Sequence, residues 1–409
     1  MADQQPPWVT AAQSSSPHHR YQTSLEQVID MSSTVQVPLN EAERATARDT
    51  FYRIVEHFEQ ADPYSAASRA TRHTLYSQPL LVRYTYEFAR SAESKDIFLR
   101  SFFGSLALDL AAADTTLNFE ELAPLFSAFA EYLMDNFFLP LKASTTKTPQ
   151  PSPGIHSAVL RARGVTDNTE AYVGTEERLA TMRAECLIRD RHCCVVSRKF
   201  SAADFTQRRK QYGIGARDDN EILFSDLGSL EFDVLEVAHI LPHSLMKTST
   251  GAAMDEARQA ALAVLDMCDH GVVHLINGID IDRPRNGLTL THLMHSYFGS
   301  FLIYFEPVDG EYNTYHIQSF TVEDNLVARL PVTRALFVTE DRTIDPPSSR
   351  LLALHRAIAH ILHLSGAGEY IDWIFRDMED RTVRADGSSA LGRLVSLGLG
   401  GWLDDAVCS

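Results

Sequence analysis

The chain has 409 residues, 44 % hydrophobic and 22 % charged, enough apolar content for about two domains with buried cores, which excludes disorder as the main state. Its formal charge of -17, from 54 acidic and 37 basic residues, argues against a protein that coats polyanions over its whole surface but leaves room for a local basic site. The five cysteines, Cys186, Cys193, Cys194, Cys268 and Cys408, include no CxxC pair, which excludes a disulfide framework and a cysteine-held structural zinc and points to a reducing intracellular compartment, cytoplasmic or nuclear.

Residues 1–40, opening MADQQPPWVTAAQSSSPHHR, are rich in Gln, Ser, Thr and Pro; burial cannot offset their ordering entropy, and a disordered tail is expected. They hold no basic segment followed by an apolar run, and no later stretch approaches the roughly 18 apolar residues of a membrane span, so neither a signal peptide nor a membrane anchor is expected. From Leu39 the pattern changes. In NEAERATARDTFYRIVEHFEQ, Ala45, Phe51, Ile54, Val55 and Phe58 follow helical spacing behind Asn40, a candidate N-cap. QPLLVRYTYEFARS, SKDIFLRSFFGSLALDLAAA and NFEELAPLFSAFAEYLMDNFFLPL repeat the pattern, the last two behind Ser94 and Asn118 as caps, which predicts a small all-α domain over residues 41–141. Residues 142–157, KASTTKTPQPSPGIHS, read as a Pro- and Ser/Thr-rich linker.

Residues 158–345 mix short elements. TEERLATMRAECLIRD is helical with Thr175 as cap, CCVVS, LEVAHIL, HGVVHLIN and TLTHLMHSYF alternate strand and helix between polar or Gly-containing turns, and FLIYFEPV with TYHIQSF makes a hairpin around VDGEYN. GAAMDEARQAALAVLDMC is a helical insert. Residues 346–409 add SSRLLALHRAIAHILHLS, an apolar helix stopped by Gly366, and EYIDWIFRDME, a helical extension expected to pack on the preceding domain. The fold class is α+β.

The chemistry concentrates in LEVAHILPHS and DRPRNGLTLTHLMHSYFG. His239 ends a short apolar strand ahead of Pro242, held on rigid backbone and expected at an edge. Asn286-Gly287 is a turn signal that fixes a side-chain amide, and His295 lies one turn beyond His292 on a helix that Thr291 can cap. One strand histidine, one turn asparagine and one helix histidine are the parts a single-metal phosphodiesterase needs: an imidazole to deprotonate water, an amide to fix its tautomer, and a second imidazole to hold the metal.

The run RDRHCCVVS, then EVAHILP, then RNGLTLTHLMHSYFG followed by FLIYFEP, resembles the HNH nuclease domain, in the fungal branch of that family, and the likeness extends over Met182 to Leu399. The resemblance implies a ββα-metal core in residues 158–345, clasping a divalent cation and receiving nucleic acid, DNA in the first instance. It implies a metal-dependent endonuclease with His239 as general base, Asn286 orienting it through its amide, and His295 as metal ligand; Mg2+ is the expected cation, with Mn2+ or Zn2+ as alternatives. His239 and Asn286 are 47 positions apart, an excess that the helical insert accounts for. Two positions depart from the pattern. Ala238 stands where many such enzymes carry a second ligand, and Gly299 where bacterial relatives carry Asp; Glu236, on the same strand face as Ala238, is the carboxylate left to serve as a ligand.

Between Arg183 and Arg217, nine basic residues face three acidic ones, a local balance of +6 just ahead of the strand histidine. Arg198, Lys199, Arg208, Arg209 and Lys210, with Arg283 and Arg285 beside the turn asparagine, are the candidate phosphate contacts. His243 and His292 read as surface or supporting residues, His355, His360 and His363 as helix packing, and Cys194 as a small core residue. Two further readings compete with the nuclease: an HNH-like module that binds nucleic acid or a protein partner without cleaving, favoured by Ala238 and Gly299, and a structural interaction protein, favoured by the net acidity.

Overall fold

The computed structural model describes residues 38–67, 74–110, 117–145, 175–226, 231–246, 256–320, 329–339, 343–379, 391–399 and 402. The expected tail up to residue 37, the linker beyond residue 145 and the approach segment up to residue 174 lie outside the described residues.

The fold is α+β. Helix α1 (Glu41–Gln60) opens on a capping box in which the Glu43 amide donates to Asn40 Oδ1 at 2.9 Å and the Asn40 amide to Glu43 Oε2 at 3.0 Å, satisfying two otherwise orphaned donors. Helices α2 (Gln78–Glu87), α3 (Ala92–Ser105) and α4 (Phe119–Leu133) follow, and α4 passes through a π turn at Met134–Phe138 into α5 (Leu139–Thr145). Two expected caps differ. Ser91, not Ser94, caps α3, its hydroxyl accepting from the Ser94 amide at 3.0 Å, because the helix starts one turn earlier; Asn118 precedes α4 without a side-chain cap bond. Lys142 to Thr145, expected in the linker, are the last turn of α5.

Helix α6 (Thr175–Arg189) leads into α7 (Ala202–Tyr212), with a two-residue parallel pair, Phe200–Ser201 against Phe232–Asp233, around it. Strands β1 (Leu235–His239) and β2 (Gly287–Thr291) are antiparallel, separated in sequence by helix α8 (Glu256–Cys268) and a series of 3-10 turns. The apolar run HGVVHLIN belongs to those turns, with Val272–Leu275 in a 3-10 helix after Gly271 at φ +74°, rather than in a strand. Helix α9 (His292–Gly299) follows β2 directly. Strands β3 (Ile303–Pro307), β4 (Thr314–Ser319) and β5 (Val332–Ala335) form an antiparallel meander, the expected hairpin plus one strand. Helices α10 (Ser349–Leu364), α11 (Ala367–Glu379) and α12 (Leu391–Leu399) complete the chain, with Gly366 at φ +73° ending α10 as expected.

One apolar core runs from α1–α5 through α8, β1 and β2 to α10 and α11. Helix α8 packs on α3 and the π turn, and α10 packs on both α2 and β3, so the insert between the site strands is anchored on the N-terminal helices. Asp269, buried after α8, ties three segments together through Arg350 at 2.7 Å and Arg90 at 3.5 Å. Among the described residues no helix is long and apolar enough to cross a membrane.

Candidate active site

Alternation along β1 sends Glu236 and Ala238 to one face and His239 to the other. On the first face lies α9, whose first turn is capped by Thr291, its hydroxyl accepting from the Met294 amide at 3.4 Å. The cap aims His292 and His295 back at β1. Their Nδ1 atoms meet the two oxygens of one carboxylate, His295 at 2.6 Å from Glu236 Oε2 and His292 at 2.9 Å from Oε1. The hydrogen bond from His295, joined by that from His292, outweighs partial burial and holds the Glu236 carboxyl down at about 2. His295 is buried, whereas the His292 side chain is 80 % exposed.

On the second face His239 is 5 % exposed, so the expected edge position is a buried one: the turn at His243–Met246 and the turn at Gly278–Asp282 close over it. Asp282 sits between two imidazoles, its Oδ1 at 3.2 Å from His239 Nε2 and 2.8 Å from His243 Nδ1, while Oδ2 takes Arg178 Nε at 3.2 Å. Burial alone would raise the Asp282 carboxyl; the bonds from His239 and His243 outweigh it and hold it well below the usual carboxylate range. Burial also lowers the pKa of His239, more than Asp282 raises it. An ionised carboxylate only accepts, so Nε2 of His239 carries the proton and donates. The lone pair then lies on Nδ1, a buried atom with no hydrogen-bond partner among the described residues.

Asn286 does not touch the His239 imidazole. Its Oδ1 accepts from the Leu241 amide at 2.9 Å, and its Nδ2 donates to the carbonyls of Leu241 and Ile281, each at 2.9 Å. The expected orientation through the amide therefore becomes an indirect one: Asn286, fully buried, clamps the backbone on either side of the two turns that carry His243 and Asp282. Behind it, the buried Arg189 donates to the Pro284 carbonyl at 2.7 Å and the Gly287 carbonyl at 2.8 Å, while its partner Asp190 accepts from the Thr289 amide at 3.2 Å. Gly287 is extended at φ -128°, not a left-handed turn residue; a Cβ there would stand 2.6 Å from Met182 Cε and 2.8 Å from Cys186 Sγ, so glycine is needed for the close approach of α6.

Residues 194–306, from Cys194 to Glu306, match the family model described as HNH endonuclease, a span that contains both clusters, both strands and α9. The chain carries an HNH endonuclease domain. No curated protein and no solved structure matches the chain.

The family implies nucleic-acid chemistry and a divalent metal, and among the described residues one group in the HNH domain, His239, His243 and Asp282, gathers donor atoms closely enough to hold such an ion. Glu236, His295 and the exposed His292 offer mixed oxygen and nitrogen donors around one carboxylate. His239, His243 and Asp282 each offer a donor atom within 4.8 Å of the others. Asp282 was not anticipated from sequence, although its place four residues before Asn286 in DRPRNG was a usable signal.

The basic block of the HNH domain is largely committed internally. Lys199 pairs with Asp233 at 2.9 Å, and Arg208 with Asp204 at 2.5 Å and Asp219 at 2.8 Å. Arg198 lies over the Phe337 ring and donates to the Ala335 carbonyl at 2.5 Å. Arg285 bonds Asp280 at 3.1 Å and the Leu275 carbonyl at 3.1 Å. Arg209, Lys210 and Arg283 are exposed, the last beside Asp280 at 3.3 Å. The partners come from both sides of the chain: Asp204 and Asp280 precede the arginines they pair with by a few residues, whereas Asp219 and Asp233 are brought in from 11 and 34 residues further on. The buried Cys194 matches its expected place in the core.

Proposed function

We propose that the chain is a metal-dependent endonuclease that hydrolyses phosphodiester bonds of DNA, with His239 as general base. The observation that carries this reading is the His239 imidazole itself, whose Nε2 faces the Asp282 carboxylate at 3.2 Å and whose Nδ1 has no hydrogen-bond partner among the described residues. A base in that state takes the proton of an attacking water at Nδ1, and the Asp282 carboxylate stabilises the imidazolium that results. Asp282 is thus a positioning residue for His239, and Asn286 a positioning residue for the turns that hold both. Glu236 and His295 hold the divalent cation, whose charge when bound stabilises the oxygen leaving phosphorus. Arg209, Lys210 and Arg283 are the phosphate contacts, since their heads remain at the surface.

Mg2+-dependent nicking of supercoiled plasmid tests the reading. Wild-type protein nicks, and His239→Ala with an unchanged melting temperature does not; equal nicking by the variant overturns the assignment. The second reading, a module that binds DNA without cleaving it, is favoured by Ala238, a buried side chain with no donor on the strand face where a ligand would stand. DNA binding by the wild type with neither nicking nor calorimetric uptake of Mg2+ or Mn2+ selects that alternative.

A further inference from the structure

We propose that His239, His243 and Asp282 form a second metal site, selective for a borderline divalent cation such as Zn2+, whose occupancy switches the nuclease off. Three features carry the site. The donor atoms are gathered: His239 Nε2 at 3.2 Å and His243 Nδ1 at 2.8 Å from Asp282 Oδ1, all within 4.8 Å of one another. The carboxylate is oriented from behind, because Arg178 holds Oδ2 at 3.2 Å and leaves Oδ1 to the imidazoles. And His239 Nδ1 is buried with no hydrogen-bond partner among the described residues, so no bond at that nitrogen fixes the ring to one tautomer.

Two imidazoles and one carboxylate suit a Zn2+ ion, which takes three protein ligands and leaves a fourth position for water; Mg2+, a hard ion that prefers oxygen and retains its waters, is poorly served. Entry lies on the side of His243, whose side chain is 12 % exposed against 3 % for His239. The proton count closes without any added reactant. When the metal takes the Nε2 lone pair of His239, the single imidazole proton moves to Nδ1, and the His243 proton likewise moves from Nδ1 to Nε2. That shift consumes the Nδ1 lone pair the base requires. The two states are therefore exclusive: with protons between the rings and Asp282 the base is available, and with a metal there it is not. The off-switch rests on the nuclease reading above; the metal site does not.

Co2+ serves as a spectroscopic stand-in for Zn2+ on the full chain. Wild-type protein is expected to show visible d–d absorption at one equivalent, abolished by competing Zn2+, retained in His295→Ala, and lost in His243→Ala. With Mg2+ in excess, Zn2+ is expected to inhibit wild-type nicking, and His243→Ala, compared with its own rate without Zn2+, requires at least ten-fold more Zn2+ for the same fractional inhibition. His243→Gln repeats the test if the alanine variant melts lower. A Co2+ spectrum unchanged by His243→Ala and His243→Gln overturns the site, whether or not any variant nicks DNA. Loss of the spectrum with unaltered Zn2+ inhibition overturns the switch. Absence of nicking from every protein, with the spectral pattern intact, sinks the nuclease reading and leaves the metal site standing.

Discussion

The two faces of β1 carry the same kinds of side chain, one carboxylate between two imidazoles, in opposite surroundings. On the α9 face Glu236 gathers His295 and His292 at 2.6 and 2.9 Å, with one of the rings largely in solvent. On the other face Asp282 gathers His239 and His243 at 3.2 and 2.8 Å beneath two turns, backed by Arg178. Exposure leaves the first cluster able to exchange a proton or a cation with solvent. Burial favours the neutral form of His239, and the Asp282 carboxylate takes its Nε2 proton. Like residue types thus divide into an open cluster and a closed one because of what packs over each.

The largest test of that division is His239→Ala. Loss of a general base is expected to lower kcat by about 10²–10⁴-fold while the melting temperature stays put. A comparable loss in His292→Ala, on the open face, would erase the distinction. Asn286→Ala comes next: it strands two carbonyls and an amide in the interior and is expected to cost about 2–4 kcal/mol in urea unfolding. If the clamp acts only by holding the turns, the variant's remaining activity tracks its folded fraction.

Glu236→Gln keeps the shape of the open cluster and removes its charge. About 10–100-fold weaker divalent-metal activation is expected, read as a shift of the Mg2+ titration midpoint with DNA affinity unchanged. A third buried imidazole, His355, gives the limit in which no carboxylate is present. Its ring lies against Phe298 and Phe301, its Nε2 donates to the Phe298 carbonyl at 3.0 Å, and burial pushes its pKa down to about 3. The unfolded chain takes up this proton below pH 6.5 and the folded one does not. Stability is therefore full above pH 6.5 and falls by about 1.4 kcal/mol for each pH unit as the pH drops toward 3. His355→Leu is expected to flatten that part of the stability profile, measured by urea midpoints between pH 7 and 5. The smallest effect is expected at the surface: Lys210→Ala should weaken DNA binding only a few-fold and lower the slope of log affinity against log salt by about one.

Local rules were enough for several elements. The Asn40 cap, the strand ending at His239, the Thr291 cap and the helix bearing His295 are set by short-range spacing and hydrogen bonding, and each stands where its pattern placed it. Other features escaped because their causes are distant in sequence. HGVVHLIN is apolar enough for a strand, yet it turns at Gly271 and packs as a 3-10 helix against α8 instead. Arg189 reads as one more basic residue in a cluster, but at 1 % exposure it is a structural strut between α6 and β2. The +6 block looked like a phosphate track, but Asp219 and Asp233, from beyond it, fold onto Arg208 and Lys199.

The sequence by itself determined the order strand, turn, strand, helix and the side chains that order presents, since period-two alternation and helix capping act over a few residues. Tertiary structure alone decided the partners: that Asp282 rather than Asn286 meets His239, that Glu236 meets both histidines of α9, and that the N-terminal helices anchor the insert between the two site strands. Hydrogen bonds and charges act through space, and which carboxylate arrives within hydrogen-bonding distance of which imidazole depends on how turns some 40 residues apart are packed together.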